Sequence, residues 1–159
     1  MATVVRPARA SDRAFIDSLG ELSAAASFSI LRPAASGVPA ESFRRLAAFC
    51  FEQPGTVTLV AEHEGRQAGF LILLTSVPDE VTRREQAFVA YMAVEEGARR
   101  RGVGRELLRA AENEARARAL PHLSLMVTAS NHRARTLYGG AGFVEERVQM
   151  TKPMQEGAG

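Results

Sequence analysis

Residues 87–94, "AFVAYMAV", form an apolar run with no polar alternation. A strand with one wet face alternates, so this run predicts a strand covered on both faces, which requires a sheet between two other layers. The stretch that follows, "EEGARRRGVGRELLRAAENEARAR", crowds Arg99, Arg100 and Arg101 against Gly102 and Gly104. It then places Val103, Leu107, Leu108, Ala111 and Ala115 on one face of an amphipathic helix ending near Leu120-Pro121.

The remaining segments fit around that strand. "TVVR" reads as an opening strand, and "RPARASDRAFIDSL" as a turn and a helix capped by Ser11 or Asp12. Residues 22–40 are poorly periodic and predict a loop that covers substrate. "ESFRRLAAFCFE" is helical until Pro54-Gly55 stops it. "TVTLVAEHEGRQAGFLILLT" predicts a hairpin around Gly65 with His63 in its turn, "SVPDEVTRREQ" a polar loop, "HLSLMV" a strand, and "NHRARTLYGGAGF" a short helix closed by glycines. "FVEERVQMTK" predicts one bent strand or two short ones. The order describes one α/β (α+β layered) domain over 1–153 with a mixed sheet, and a disordered tail at 154–159.

Composition narrows the function. Net charge is +2, but 19 of the 20 basic residues are Arg, and residues 99–118 hold seven Arg against three Glu, so the positive charge is local. With no Trp and two Tyr, there is no aromatic–basic interleaving of the kind that stacks bases, and no nucleic-acid partner is expected. The apolar runs are too short to span a bilayer and the start lacks a secretory signal, which predicts a cytoplasmic chain without a membrane partner. Cys50 lies in an apolar helical setting and reads as an inert buried thiol. His63, His122 and His132 are scattered, so no metal is expected.

A helix that starts in a Gly-rich turn after a buried strand presents unpaired N–H groups and its positive dipole end, a setting for phosphate. Gly102 and Gly104 are expected to let the phosphate approach the backbone, and the arginines to add charge-assisted contacts. A dinucleotide fingerprint would need glycine where Leu107 stands, and no Gly-Lys-Ser/Thr occurs.

Arg99-Arg100-Arg101-Gly102-Val103-Gly104 resembles the Gln/Arg-x-x-Gly-x-Gly/Ala pyrophosphate loop of the GNAT superfamily of N-acetyltransferases. The resemblance continues through "YMAV", which is similar to the family's fourth strand. It extends to Asn131, Ala134, Leu137, Tyr138, Gly142 and Phe143, similar to its Asn-x-x-Ala-x-x-Leu-Tyr-x-x-x-Gly-Phe segment, and "VVRPARASD" resembles its usual start. The resemblance implies a mixed, mostly antiparallel twisted sheet with helices on both faces, acetyl-CoA as cosubstrate, an amine of a small molecule or peptide as acceptor, and a homodimer. It places the pantetheine arm along Met92, Ala93 and Val94, the diphosphate on Arg99, Arg100, Arg101, Gly102, Val103, Gly104 and Arg105, and Asn131 and Arg135 beside the cofactor.

By the same resemblance Tyr138 is general acid to the departing CoA thiolate, a role open to a phenol with a pKa of ~10. Asn131 and Tyr138 are seven residues apart, so on a continuous helix they share a face. On the residues alone, Tyr138 equally suits the core. Some members of the family carry a carboxylate base on the fourth strand, where this chain has Phe88, Val89 and Ala90. Glu85 acting through water, or an amine whose own pKa is lowered in the site, would replace it. Acceptor choice would lie with loops 22–40 and 77–86, which carry Asp79, Glu80 and Glu85. A non-catalytic acyl-CoA sensor on the same fold is the alternative.

Overall fold

The computed structural model describes residues 2–154. Five strands, β1 (Thr3–Pro7), β2 (Val57–His63), β3 (Arg66–Pro78), β4 (Glu85–Val94) and β5 (Leu123–Leu125), form one sheet in the order β1-β2-β3-β4-β5. The first four are antiparallel neighbours, and β4 pairs with β5 in parallel. The helices are α1 (Arg13–Ser23), α2 (Val38–Glu52), α3 (Val103–Ala117) and α4 (His132–Gly140).

Alternation along β3 explains the two-sided sheet. Phe70 and Ile72 join Val60 on one face and are covered by Ile16, Leu19, Phe43, Ala47 and Cys50 of α1 and α2. Leu71 and Leu73 join Leu59 on the other face, under Val103, Leu107, Leu108, Ala111 and Ala115 of α3. β2 and β3 meet through Glu64 and Gly65, both at positive φ (53° and 76°), the pairing that matches strand twist in a tight hairpin.

Several expectations are corrected. Asp12 occupies the N-cap position of α1, but its carboxylate does not cap the helix. It accepts two bonds from the Arg6 guanidinium at 2.7 and 3.0 Å, one from Arg9 N–H at 2.7 Å and one from Gln67 at 2.6 Å. With its oxygens engaged by Arg6, Arg9 N–H and Gln67, the carboxylate is turned away from the first amides of α1. Residues 22–40 contain the end of α1, a short 3₁₀ turn at Ala24–Ser27 and the start of α2 at Val38, which leaves 28–37 as loop. The loop expected at 77–86 shrinks to 79–84. His63 ends β2, and its ring bonds Thr3 Oγ1 at 2.9 Å.

Residues 143–152 form no strand. Alternation there gives strand propensity, but a ladder also needs a neighbour, and none of the described strands pairs with this segment. Instead it lies across the surface, tied by Glu145 to Arg135, by Arg147 to Glu80 at 2.9 Å and by Thr151 to Arg32 at 3.3 Å. Val144, Val148 and Met150 on its other side are exposed. Of the expected tail at 154–159, Met154 is exposed and without regular structure, and residues 155–159 lie outside the described residues.

Candidate active site

β4 and β5 run together for only three pairs, from Ala87 with Leu123 to Val89 with Leu125. Immediately beyond, the β3–β4 register shifts: Leu73 faces Val89 and Ile72 faces Tyr91, so Ala90 is an extra residue on β4. Such a bulge bends its strand and increases the local twist. It coincides with the point where β5 ends, so the second half of β4 has an open edge.

Which backbone groups face that opening follows from one hydrogen bond. Glu95 N–H donates to Ala68 O at 2.8 Å, on the β3 side. Backbone groups alternate sides along a strand, so Ala93 also faces β3, while Met92 and Val94 turn theirs toward the opening. Among the described residues no backbone partner meets them.

The chain then passes a short 3₁₀ turn, Glu96–Ala98, and reaches α3 through Arg100 and Gly102, both left-handed (φ 63° and 80°). Gly102 is the N-cap and has no side chain to satisfy the helix start. The first intrahelical bond is Glu106 N–H to Gly102 O at 3.0 Å, which leaves the N–H groups of Val103, Gly104 and Arg105 unpaired within the helix. Arg101 reaches Glu64 at 3.5 Å. Among the described residues no carboxylate pairs with Arg99, Arg100 or Arg105.

The fold gives each of the two glycines a further reason beyond the one expected. Gly102 provides the positive φ, and a Cβ there would meet nothing within 4 Å. At Gly104 a Cβ would stand 2.8 Å from Leu137 Cδ2, so this glycine lets α4 close onto the first turn of α3. That contact, with Met92 Cε 3.8 Å from the same point, brings β4, α3 and α4 together at one place.

Asn131 is the N-cap of α4, outside the helix proper, so it does not share a continuous helical face with Tyr138. Its Oδ1 accepts from Ala134 N–H at 3.2 Å, and its Nδ2 donates to Ala26 O at 3.4 Å. Arg135 is held by Glu145 and the Ala129 carbonyl. Tyr138 is half-buried with its ring edge-on to Phe143 at 5.9 Å, and its hydroxyl, which bonds none of the described residues, is not sealed from solvent. Burial, and secondarily the nearby Tyr91 phenol, push its pKa up from the usual value of 10. Glu85 is not brought to this group. It is exposed at the far end of β4, opposite Pro78, roughly 20 Å along the strand from Tyr91.

Sequence reasoning overlooked Tyr91. Its ring packs with Phe43 at 4.8 Å and Phe70 at 5.9 Å. The Ser23 hydroxyl donates to Leu19 O at 2.7 Å and so is free to accept from Tyr91, whose oxygen is 2.8 Å away and 3.2 Å from Gly20 O. The available signal was a lone hydroxyl inside "AFVAYMAV", since a phenol in a two-sided strand needs a partner.

A model of the acetyltransferase (GNAT) family matches residues 24–143. The chain belongs to this family. Similar solved structures agree in fold. A Pyrococcus furiosus protein assigned as an acetyl transferase is 23% identical, over 96% of this chain and 100% of that one, with a TM-score of 0.75. AAC(6')-Iy, in complex with the bisubstrate analog CoA-S-monomethyl-acetylneamine, is 17% identical over 98% and 100%, with a TM-score of 0.72. The aminoglycoside 6'-N-acetyltransferase AAC(6')-IG of Acinetobacter haemolyticus is 16% identical over 96% and 99%, with a TM-score of 0.66. Among curated proteins none matches by sequence.

Among the described residues no three His, Cys, Asp or Glu gather in a way that would hold a metal ion, and no helix is long and apolar enough to cross a membrane.

Proposed function

We propose that the protein is an acetyl-CoA-dependent N-acetyltransferase. The observation that carries this reading is the continuity of the open β4 edge with an uncapped helix start flanked by arginines that have no carboxylate partner among the described residues. An extended, amide-bearing thiol arm ending in a diphosphate fits both halves at once. The arm would bond the main chain of Met92 and Val94 as an added strand, and the diphosphate would lie on the N–H groups of Val103, Gly104 and Arg105 with Arg99 and Arg100 beside it.

In the reaction a neutral amine attacks the thioester carbonyl. The carbonyl oxygen becomes an oxyanion, stabilised by a β4 N–H, and collapse of the tetrahedral intermediate breaks the C–S bond. The Tyr138 hydroxyl, without a hydrogen-bond partner among the described residues, gives its proton to the leaving thiolate; the ammonium formed on the new amide nitrogen loses one to solvent, and the Tyr138 phenolate regains one from solvent. The raised pKa of Tyr138 keeps it protonated throughout the neutral range. No residue of this chain is assigned as base, so the amine enters after losing its proton to water.

Thermal unfolding tests the reading. Acetyl-CoA or CoA at about 100 times the dissociation constant should add about 2.7 kcal/mol of stability, with NAD and ATP as controls. Equal stabilisation by every phosphate compound would reject it. A second reading, a non-catalytic acyl-CoA sensor, draws on the apolar side chains of Phe88, Val89 and Ala90 on β4 and on the place of Glu85 at the far end of that strand from Tyr91. It predicts the same stabilisation with no turnover across a broad amine panel.

A further inference from the structure

A second bulge lies on β3. Leu74 faces Phe88 and Val77 faces Gln86, so Thr75 and Ser76 together oppose Ala87. Beside it lies a surface pocket, open to solvent on one side, of about 380 Å³. Its walls are Phe49 and Pro54 at the end of α2, Leu74, Val77 and Pro78 of β3, and Phe88 of β4. Gln53 and Ser76 complete the lining, and none of these eight residues is ionisable.

Two features mark the cavity as more than a packing gap. Phe49 is 56% exposed and lies off the buried stripe of α2 formed by Phe43, Ala47 and Cys50, so an aromatic ring is set over the mouth where the core does not need it. The cavity also opens on the α1/α2 side of the sheet. Phe88 packs with the core of that side, while Met92 and Val94, at the opening assigned to the acyl donor, pack with the α3 side. From Phe88 to Tyr91, beyond the Ala90 bulge, is three residues of strand, roughly 10 Å.

We infer that this cavity binds the apolar group of the acceptor, an aryl or branched alkyl substituent separated by a short tether from the amine to be acetylated. The inference rests on the N-acetyltransferase reading for the fate of the amine, but the binding can be measured without turnover. An uncharged lining offers no counter-charge to a polycationic sugar, and a volume of about 380 Å³ leaves room for a ring, since cavities of about 150 Å³ already accept benzene.

The experiment uses the full chain loaded with CoA, as wild type and as Ser76→Phe, which fills the cavity from an exposed position. Phenylbutylamine and butylamine are titrated by calorimetry, and their acetylation is followed at saturating acetyl-CoA. Wild type should prefer phenylbutylamine by on the order of tenfold or more. Ser76→Phe should abolish the preference through KM and leave butylamine turnover and CoA stabilisation unchanged. Phe49→Ala, also exposed, should weaken it, and decides the matter if Ser76→Phe fails to fold. Equal binding of both amines by wild type, or a preference that survives both substitutions, overturns the assignment. So does an effect of Ser76→Phe confined to longer acyl-CoA donors. Absence of all turnover would reject the catalytic reading, while the calorimetry still decides the cavity.

Discussion

Arg6 and the arginines at 99–101 are the same residue type in opposite situations. Arg6 is satisfied on all sides: it bonds the buried Asp12 and Glu62, and the Arg6 guanidinium is the largest of the causes that hold the Asp12 carboxyl far below the usual range. Arg99 and Arg100 stand at a helix start with no carboxylate among the described residues. A cation whose partners are internal fixes the fold, here β1 to the entry of α1 and to β3 through Gln67. On the proposed reading, a cation left without one, where amides are also free, takes an external anion.

The largest effect expected from this contrast is on stability. Asp12→Ala leaves Arg6 with one partner fewer and should cost about 3–5 kcal/mol, read from chemical denaturation. Acid gives an independent check. The folded carboxyl titrates below its ordinary 3.8, so the unfolded chain binds the extra proton, and the contribution is complete above pH ~5 and declines as pH falls below ~4. Asp12→Asn should flatten that acid limb. An unchanged limb would break the assignment of Arg6 as a structural cation.

Next in size is an effect on rate. Tyr138→Phe should lower kcat by roughly 10²–10⁴-fold and leave acetyl-CoA stabilisation intact, because the hydroxyl makes no bond to the described protein. Retained turnover would remove Tyr138 from the acid role. The rate should also rise with pH through the neutral range as the amine deprotonates, without an alkaline fall below pH 10, since the phenol pKa is raised.

Arg99→Ala and Arg100→Ala should act on affinity alone. A lost charge-assisted contact is worth about 1.5–3 kcal/mol, which corresponds to a tenfold or greater rise in the KM for acetyl-CoA with an unchanged unfolding midpoint of the free protein. A fall in stability of the free protein would mean that these arginines resemble Arg6 after all.

The contrast also separates what was legible in the chain from what was not. The run 87–94, the apolar face of α3 and the glycine-rich helix start were readable because each depends on its own residues and a fixed period. The Ala90 bulge was not, because it is a one-residue register choice made jointly with β3. The cap expected of Asp12 yielded to Arg6, which is near in sequence but acts across the strand. Gly104 was read as clearing a path for phosphate; that its missing side chain also admits Leu137 was not legible, because only the closed fold supplies that neighbour. The strand expected in 143–152 pairs with none of the described strands and is held by side-chain contacts to Arg135, Glu80 and Arg32 instead, partners that the sequence does not reveal.

The smallest effect falls on arginines that belong to neither class. Arg116 pairs with Glu112 at 3.2 Å one turn earlier on α3, and its side chain is 70% exposed. Both charges are hydrated before and after folding, so their attraction is screened and partly offset by the side-chain order it requires. Arg116→Ala should therefore change stability by about 0.5 kcal/mol or less and leave the KM for acetyl-CoA unchanged. A loss close to that of Asp12→Ala would show that ion pairing as such, and not burial, distinguishes Arg6. A rise in KM would show that the positive field of α3, rather than the two unpaired arginines at its start, draws the anion.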